Sequence, residues 1–510
     1  MNRRYLGING NTWRRAAHRG ASSVGLFVLV CALLISGVLP VSADPDAPSR
    51  IYAPQVLSFK CNLMRTKTLM GLQVYGVTGS KNPYYKDMMD SGASWVRVDL
   101  SWAETEPTNT TPKDYEWSHA DKVVTLAVEQ CIPIVLTVGT NPSWAADQVA
   151  GPLKVSNAEM AQFVGALVER YDGDGIDDAP GAPRVFDFEF YNEPDQGPVG
   201  TYERWGLYGA QYAAMLKAVY PAVKAANPKA QVIFGGLAYD FFTDQSEDPA
   251  NNGPFVRKFL DDVLKAGAGP YFDVMNFHFY PLFGGYWTDD FPKDGPGLVE
   301  KTEAIRAVMA KYGVTKPVII TEMGWHNNES AGVPHGSDKL QVRYVVQLYV
   351  QAFATDIKAA AWWPLGDAGD PYIYNSGLVT NYELGAPQRK KAYAAYQVFV
   401  QRMGSVEFVK EVKNSDDIKA YRFYDKANQR TMYVAWTNPR DNTNVWGTPT
   451  KPYVDTTRTT VVELPGRKVT VYDAYWNKVA TVSDGDDGKV NGNVRPTING
   501  DPRYIVVEEP

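Results

Sequence analysis

Two glutamates stand at the ends of apolar runs that have the composition of buried strands. Glu193 ends one run in the order Asn192-Glu193-Pro194, and Glu322 ends another that reads Val-Ile-Ile-Thr-Glu. Two opposed carboxyl groups can cleave a glycosidic bond, because one protonates the leaving oxygen while the other attacks or stabilises the anomeric carbon. The two residue types therefore predict this chemistry if the fold brings both side chains to one place.

The run that contains Glu193 poses a geometric problem. Phenylalanines occupy every second position from Phe186 to Phe190, and Asn192 and Glu193 then follow side by side. Strict alternation would send these two side chains to opposite faces of a strand. Both can serve one site only if the chain bulges or turns there, and Pro194 is suited to ending the strand.

The elements that must position the two glutamates alternate between short β-rich runs and longer amphipathic segments. Eight runs occur in residues 69–402, at 72–78, 94–101, 132–139, 185–191, 231–237, 272–280, 318–321 and 359–363. This α/β alternation predicts parallel sheet, and eight units fit a closed (β/α)8 TIM barrel better than an open sheet. A barrel of this kind carries its chemistry at the carboxyl ends of the strands, which is where both glutamates lie.

The pattern changes after Met403. Short strands separated by clusters of Asn, Asp, Gly and Pro follow, without a long helical segment. This is typical of an antiparallel β-sandwich of roughly 100 residues. We therefore expect a catalytic barrel at 69–402 and a C-terminal β-sandwich accessory domain at 403–510, and residues 44–68 could add an edge strand to the sandwich.

The two strand ends also resemble a known clan. Asn192-Glu193-Pro194 on the fourth strand and Thr321-Glu322 on the seventh resemble the catalytic strand ends of clan A glycoside hydrolases, the 4/7 superfamily. The resemblance covers about residues 69–402 and is nearest to family 39, with families 5 and 30 as alternatives. It implies a retaining enzyme that cleaves β-glycosidic bonds by double displacement, with Glu193 as acid/base and Glu322 as nucleophile.

Retention and inversion differ in geometry. Retaining enzymes hold the two carboxyl groups about 5–5.5 Å apart, whereas inverting enzymes hold them about 6.5–9.5 Å apart. We also expect the charge of Glu322 to raise the pKa of Glu193, because an acid catalyst must carry a proton at working pH.

Other residues receive roles from the same resemblance. Tyr280 on the sixth strand would hydrogen-bond the nucleophile, and His278, on the same face by period two, would contact substrate. A core histidine satisfied by backbone is the alternative for His278. Asn192 would bind the sugar 2-hydroxyl. Arg97 resembles the second-strand arginine beside the nucleophile, where a cation would stabilise the ionised carboxyl, but a structural pair with Asp99 or Glu189 is equally compatible with its position.

Aromatic residues near strand ends are candidates for sugar contacts. Trp363 resembles the tryptophan floor of the clan, and Trp362 has the opposite strand parity, so we expect it to pack outward. Trp144 is either a sugar platform or a loop anchor, as are Trp102 and Trp325. The acids Glu104, Asp195 and Asp367 are expected to be solvated groups at the rim.

One acidic loop stands apart from these residues. The segment from Tyr171 to Pro180 contains Asp172, Asp174, Asp177 and Asp178 with glycines between them. Carboxylates on a chain that can wrap an ion are suited to calcium, although the loop lacks the twelfth-position Glu of an EF-hand. It precedes the fourth strand, at the bottom of the barrel. A structural calcium site and a solvated acidic turn both remain open.

The N-terminus predicts export. Residues 1–43 contain five arginines and no acid, with an apolar run from Val24 to Leu39 that is short for a membrane span. We expect a signal peptide and a secreted protein without a membrane anchor after cleavage. Cys61 and Cys131 would remain, and they could either pair or stay as buried thiols.

Composition and charge limit the possible partners. The 510 residues are 45% hydrophobic and carry a net charge of −6, without the basic footprint of a nucleic-acid binder. The expected partner is an oligo- or polysaccharide, and the expected chemistry needs no cofactor. A transglycosylase that uses the same pair and a non-catalytic glycan-binding protein on the same fold are the alternatives. The sugar, the linkage, the oligomeric state and exo or endo action (which depends on loops such as 284–297) stay open.

Overall fold

A computed structural model describes residues 68–76, 78–197, 204–239, 255–281, 297–329, 336–368, 375–415, 418–438, 455 and 457–508. The predicted signal peptide, residues 44–67 of the predicted edge strand and most of the loop 284–297 lie outside these ranges. Cys131 is disulfide-bonded, and Cys61, with which it could pair, also lies outside these ranges. Among the described residues, no helix is both long and apolar enough to cross a membrane.

The first sheet confirms the predicted barrel. Its eight strands are parallel and adjoin in the order β5-β4-β3-β2-β1-β8-β7-β6. The strands are β1 (Met70–Gln73), β2 (Trp95–Ser101), β3 (Ile134–Gly139), β4 (Asp187–Phe190), β5 (Gln231–Phe234), β6 (Met275–Phe279), β7 (Val318–Met323) and β8 (Ala360–Trp362).

Backbone hydrogen bonds close the barrel between β5 and β6. Phe234 N donates to Val274 O at 3.0 Å, and His278 N donates to Leu237 O at 2.8 Å. Helices lie between the strands and after β8, at Tyr85–Ser91, Trp102–Thr105, Trp117–Val123, Thr125–Glu129, Asn157–Arg170, Gly209–Ala226, Phe259–Lys265, Leu298–Lys311, Asp338–Ala354 and Lys391–Met403.

The barrel interior is arranged in layers, because every second strand residue points inward. The lower layer is apolar and contains Trp95, Val135, Ile233, Ile319 and Ala361. Gly71 belongs to the same layer, and a Cβ atom there would lie 2.2 Å from the Trp95 ring. The next layer is polar and comprises Gln73, Arg97, Thr137, Glu189, Asn276 and Thr321, all at most 2% exposed. The site lies above this polar layer.

The C-terminal part forms an antiparallel sandwich, as the strand pattern predicts. A six-stranded sheet has the order β15-β14-β18-β11-β10-β9, and two short pairs, β12–β17 and β13–β16, lie beside it. The strands are β9 (Val406–Ser415), β10 (Ile418–Asp425), β11 (Arg430–Trp436), β12 (Thr460–Val461), β13 (Leu464–Pro465), β14 (Lys468–Tyr472), β15 (Lys478–Ser483), β16 (Asn493–Val494), β17 (Thr497–Ile498) and β18 (Arg503–Val507).

The six-stranded sheet packs on the rest of the sandwich with one face and on the barrel with the other. Tyr433 and Ala435 of β11 pack in the core of the sandwich, whereas Val434 and Trp436, one position on, join the core of the barrel. At this second surface the buried Arg343 donates to Asp501 at 2.7 Å and to Asp455 at 2.8 Å. Barrel and sandwich thus belong to one compact unit.

Candidate active site

The chain leaves regular strand geometry at the end of β4, so that the adjacent residues Asn192 and Glu193 can both face the site. Tyr191 and Glu193 both have positive φ angles, of 64° and 47°. This conformation is uncommon outside glycine. The positive φ of Tyr191 directs its side chain outward, where its hydroxyl donates to Asn141 at 2.6 Å. The side chains of Asn192 and Glu193 then both point into the barrel mouth. The expected departure from strand geometry is therefore present.

The end of β7 reaches a similar result through a β-bulge. Ile320 pairs with Phe277 and Glu322 pairs with His278, so Thr321 is the extra residue. A bulge lets two consecutive side chains point to the same side. Thr321 accepts a hydrogen bond from Asn276 in the polar layer at 2.8 Å, while Glu322 faces the mouth above it.

The two glutamates meet in one place. Glu193, Glu322 and His278 each have a polar atom within 4.8 Å of the others, so carboxyl oxygens of the two acids lie within that distance. Their side chains are 22% and 9% exposed, which leaves both accessible from the mouth. This separation is shorter than the gap of about 6.5–9.5 Å that inversion requires.

Arg97 joins the polar layer to the glutamate pair. Its Nη1 donates to Glu322 at 2.6 Å and to Gln73 at 2.9 Å, and its Nη2 donates to Asn192 at 2.8 Å. Nε and Nη2 also form a bidentate pair with Glu189, at 2.7 and 3.0 Å. The guanidinium is 1% exposed. The two interpretations of Arg97 are therefore compatible, since it neighbours Glu322 and pairs with Glu189.

Glu189 is a further site residue, which the sequence indicates only as a possible partner of Arg97. It is fully buried and also accepts hydrogen bonds from Thr137 at 2.9 Å, Asn276 at 3.0 Å and the amide of Gly236 at 3.1 Å. The position of Glu189 within a Phe-rich strand is the sequence signal for a buried ion pair, because a buried carboxylate requires a paired cation.

His278 lies between the two carboxyl groups. Its Nδ1 is 3.1 Å from Glu193 Oε1 and 3.5 Å from Glu322 Oε2, and its Nε2 is 3.1 Å from Thr321 Oγ1. Burial lowers the pKa of His278, but the charge of Glu322 and the hydrogen bond to Glu193 outweigh burial and raise it. A backbone-satisfied core histidine does not describe this residue.

The expected rise in the pKa of Glu193 is wrong for this structure. Burial does raise it, but the hydrogen bond and charge of His278, followed by the charges of Arg204 and Arg97, outweigh burial and lower the pKa. The expectation takes Glu322 as the dominant neighbour of Glu193, whereas the His278 imidazole is in direct contact with it. The acid and the imidazole must therefore be treated as one coupled pair.

Aromatic residues form one wall of the mouth. The Tyr280 hydroxyl donates to Glu322 Oε2 at 2.7 Å, and its ring packs edge-on against Trp363 at 5.7 Å between centroids. Trp363 Nε1 in turn donates to the Tyr75 hydroxyl at 2.5 Å. Trp362 points away into the core, as its parity predicts, and donates to Ser376 O at 2.9 Å. Tyr75 was not singled out from the sequence.

Trp144 contacts a different cluster. It packs edge-on against Trp102 at 5.5 Å, and its Nε1 donates to Glu106 O at 2.9 Å. Trp102 is buried and donates to the Glu106 carboxylate at 2.8 Å. These contacts fit the loop-anchor alternative for Trp144 and Trp102. Trp325 is buried against Tyr344 at 4.9 Å.

Of the three acids expected to be solvated or rim groups, one is buried and a second is largely covered. Asp195 is 1% exposed and accepts hydrogen bonds from the amides of Ala238 and Tyr239 at 3.2 and 2.7 Å. Asp367 pairs with the Lys390 ammonium at 2.7 Å. Both acids follow barrel strands closely, and the loops fold back over them. Glu104 remains exposed at the surface, as expected.

The acidic loop brings three of its four carboxylates together. Asp172, Asp174 and Asp178 each have an oxygen within 4.8 Å of the others. The oxygens of Asp178 accept hydrogen bonds from the amides of Gly173 and Gly175 at 2.9 and 2.7 Å, and Asp172 and Asp174 likewise accept amides within the loop. Asp177 is exposed and outside this group. Calcium binding by this loop stays a prediction.

An eight-stranded parallel barrel with paired glutamates at the ends of β4 and β7 defines a retaining glycosidase of clan A, as the resemblance predicts. The chain belongs to glycosyl hydrolase family 5, whose cellulase model matches residues 58–369. Family 5 was one of the alternatives to family 39. A search of curated proteins finds no match to the sequence.

Solved structures support the fold. A family 39 glycoside hydrolase from the gut symbiont Bacteroides cellulosilyticus WH2 is 19% identical with a TM-score of 0.60, over 87% of this chain and 81% of that one. A glucosidase from Croceicoccus marinus is 16% identical with a TM-score of 0.53, over 88% and 96%. A family 51 alpha-L-arabinofuranosidase from Bifidobacterium longum is 12% identical with a TM-score of 0.50, over 87% and 95%. At these identities the similarity concerns the fold.

Proposed function

We propose that this protein hydrolyses β-glycosidic bonds of an oligo- or polysaccharide by double displacement, with Glu322 as nucleophile and Glu193 as acid/base. The observation that supports the proposal most directly is the approach of their carboxyl oxygens to within 4.8 Å at the barrel mouth. Carboxyl oxygens this close fit the separation of about 5–5.5 Å in retaining enzymes better than the gap of about 6.5–9.5 Å that inversion requires.

In the first step, an oxygen of Glu322 forms a bond to the anomeric carbon while the bond from that carbon to the leaving oxygen breaks. Glu193 gives its proton to the leaving oxygen and becomes a carboxylate. The hydrogen bonds from Arg97 and Tyr280 fix the two oxygens of Glu322, one each. Fixed donors of this kind lower the barrier because they need no rearrangement as charge moves.

In the second step, Glu193 takes a proton from water, and the water oxygen attacks the anomeric carbon and releases Glu322. Microscopic reversibility assigns the same residue to both proton transfers. Asn192 is oriented by its hydrogen bond to Arg97 Nη2, which leaves its amide NH2 for a sugar hydroxyl. We assign this contact to the 2-hydroxyl, where a hydrogen bond strengthens as the transition state forms.

We propose further that the protein is exported and that it works without a cofactor. The basic and apolar N-terminal segment supports export of the protein, and the acidic net charge of −6 fits a glycan partner better than a nucleic acid. Catalysis as proposed uses the protein's own carboxyl groups and water, so no cofactor is needed for it.

The test is a panel of aryl β-glycosides and of plant and microbial polysaccharides with the wild-type protein. We expect release of reducing sugar or aryl alcohol from at least one member. Glu322→Ala should abolish turnover of the aryl glycoside that the wild type cleaves, and azide should restore part of it by occupying the vacated space. Glu104→Gln, an exposed acid beyond β2, is the matched control and should retain full activity. Full activity of Glu322→Ala would remove that residue from the nucleophile role.

The same panel separates the transglycosylase alternative. Product analysis with and without an added glycan acceptor distinguishes hydrolysis from transfer, because transfer requires the acceptor. Glycan binding without cleavage over long incubation would instead favour a non-catalytic role.

A further inference from the structure

Two residues at the barrel mouth have no role in the mechanism above. Gln73 of β1 pairs with Arg97 of β2, and Tyr75 and Asp99 lie two residues beyond this pair. Their side chains therefore point into the mouth one layer above the polar layer. Asp99 is exposed although its strand neighbours Val98 and Leu100 are buried, and Tyr75 is 46% exposed.

Tyr75 is connected to the nucleophile through two aromatic side chains. Its hydroxyl accepts from Trp363, the Trp363 ring packs against Tyr280, and Tyr280 donates to Glu322. The exposed ring of Tyr75 thus lies on the Glu322 side of the mouth. The sugar whose anomeric carbon is attacked must lie on this side, because Glu322 forms a bond to it.

Asp99 offers hydrogen-bond capacity to a ligand. Within the described part of the chain, its one hydrogen bond comes from Gln73 Nε2 at 3.5 Å, a long contact. A carboxylate can accept about four hydrogen bonds, so most of this capacity is open to the mouth. A carboxylate beside an exposed aromatic ring can bind a sugar, since the ring packs on the apolar face while the oxygens accept hydroxyls.

The charges of the mouth disfavour an anionic sugar. The Arg97 guanidinium already donates to Glu189, Glu322, Gln73 and Asn192, and the nearest imidazole, His278, lies between the two catalytic carboxyl groups. Arg204 is a further cation among the described residues of the mouth, but it donates to Asn192 O at 3.2 Å and its charge acts on Glu193. A sugar carboxylate beside Asp99 would meet the negative charges of Asp99 and Glu322. Like charges brought together in this way strongly disfavour the wrong partner.

We infer that Asp99 and Tyr75 bind the sugar on the Glu322 side of the scissile bond and restrict it to a neutral sugar. The sugar ring packs on Tyr75, neighbouring hydroxyls donate to Asp99, and a uronic acid is rejected by the Asp99 charge. This inference rests on the proposed glycosidase function and names the substrate class of that site.

The ionisation of Asp99 fits this role near neutral pH. The barrel walls around Asp99 limit the hydration of its carboxylate, although the residue is exposed to the mouth, and this raises its pKa to about 6. The Arg97 charge opposes the rise, and the charges of Glu322 and Glu189 add to it. Asp99 is therefore mostly a carboxylate at pH 7.5, and the comparison below is made at that pH.

The test compares neutral aryl β-glycosides with their uronate counterparts, which differ only at carbon 6. The pairs are glucoside with glucuronide and galactoside with galacturonide, and a xyloside serves as a further neutral probe. We expect kcat/KM for neutral glycosides to exceed that for uronates at least about 100-fold. A uronate cleaved as well as its neutral counterpart would overturn the inference but not the glycosidase function. Failure to cleave any glycoside or polysaccharide would count against the proposed function itself.

Single-residue variants test whether Asp99 and Tyr75 are responsible for the preference for neutral glycosides over uronates. Asp99→Asn should lower kcat/KM for the best neutral glycoside about 10- to 100-fold and narrow the discrimination against uronates. Tyr75→Ala should raise KM more than Tyr75→Phe, because the Phe variant keeps the ring. Glu104→Gln, on the chain just beyond β2, should leave the neutral-to-uronate ratio unchanged. Thermal unfolding shows whether each variant is folded, and a folded Asp99→Asn with wild-type selectivity would refute the assignment.

Discussion

The Nδ1 atom of His278 lies 3.1 Å from Oε1 of Glu193, so the imidazole and the carboxyl group compete for one proton. The pKa of His278 is raised and that of Glu193 is lowered. With the proton on the imidazole, Glu193 is a carboxylate; acid catalysis requires the proton to move to Glu193. A sugar oxygen near Glu193 would favour that movement, since it offers the proton an acceptor.

This pairing predicts how the pH profile responds to Gln at position 278. In the wild type, His278 and Glu193 share their last proton, which resides on either group. The apparent pKa for loss of this proton from two sites is higher than the pKa of one site alone. In His278→Gln, Glu193 is the sole holder, so the alkaline limb of kcat/KM should move to lower pH. His119→Gln, a half-exposed histidine beside Glu104, is the control and should leave the limb in place. An alkaline limb that stays or moves upward in His278→Gln would refute the shared proton.

Removal of one hydroxyl tests the support of the nucleophile. Tyr280→Phe deletes the 2.7 Å hydrogen bond to Glu322 and keeps the ring against Trp363. We expect kcat to fall about 10- to 100-fold, the effect of losing a hydrogen bond to a charged group. Tyr396→Phe removes a buried hydroxyl that donates to Gly71 O and should leave kcat near the wild-type value. Equal kcat in Tyr280→Phe and the wild type would contradict the role of Tyr280.

The ion pair below the site should contribute to stability as well as to catalysis. Arg97→Met leaves the fully buried Glu189 without its cation, which should cost about 3–5 kcal/mol of unfolding free energy. Adding Glu189→Gln removes the uncompensated charge, so the double variant should be less destabilised than the sum of the single variants. Urea unfolding gives the free energy of unfolding of the wild type, of each single variant and of the double variant. Strict additivity would show that the two residues do not depend on each other.

Much of the barrel could be predicted because its strands are buried on both faces and are therefore apolar runs. The predicted run 231–237 contains β5, for example, and 94–101 contains β2. Strands of the sandwich were harder to recognise. β9 (Val406–Ser415) and β15 (Lys478–Ser483) are edge strands with exposed polar residues, so neither has the apolar composition on which the prediction depended.

The site was predictable where strand ends determine it. Glu193 and Glu322 could be identified because they stand at the ends of β4 and β7. Their proximity could be predicted because closure of the barrel brings these strand ends together. The pKa of Glu193 depended on where one imidazole ring lies, which sequence parity places only on a strand face. Burial of Asp195 likewise depended on how a loop folds back, and the chain pattern contains no signal for that.

The central claim is that Glu322 forms a covalent bond with the sugar, and a trapping experiment tests it most directly. The protein is incubated with the 2-deoxy-2-fluoro glycosyl fluoride of the sugar that the substrate panel identifies, then digested and analysed by mass spectrometry. We expect one fluorosugar on the peptide that contains Glu322, and no adduct in Glu322→Ala. A label on another residue, or rapid turnover of the natural glycoside with inverted product, would contradict the account.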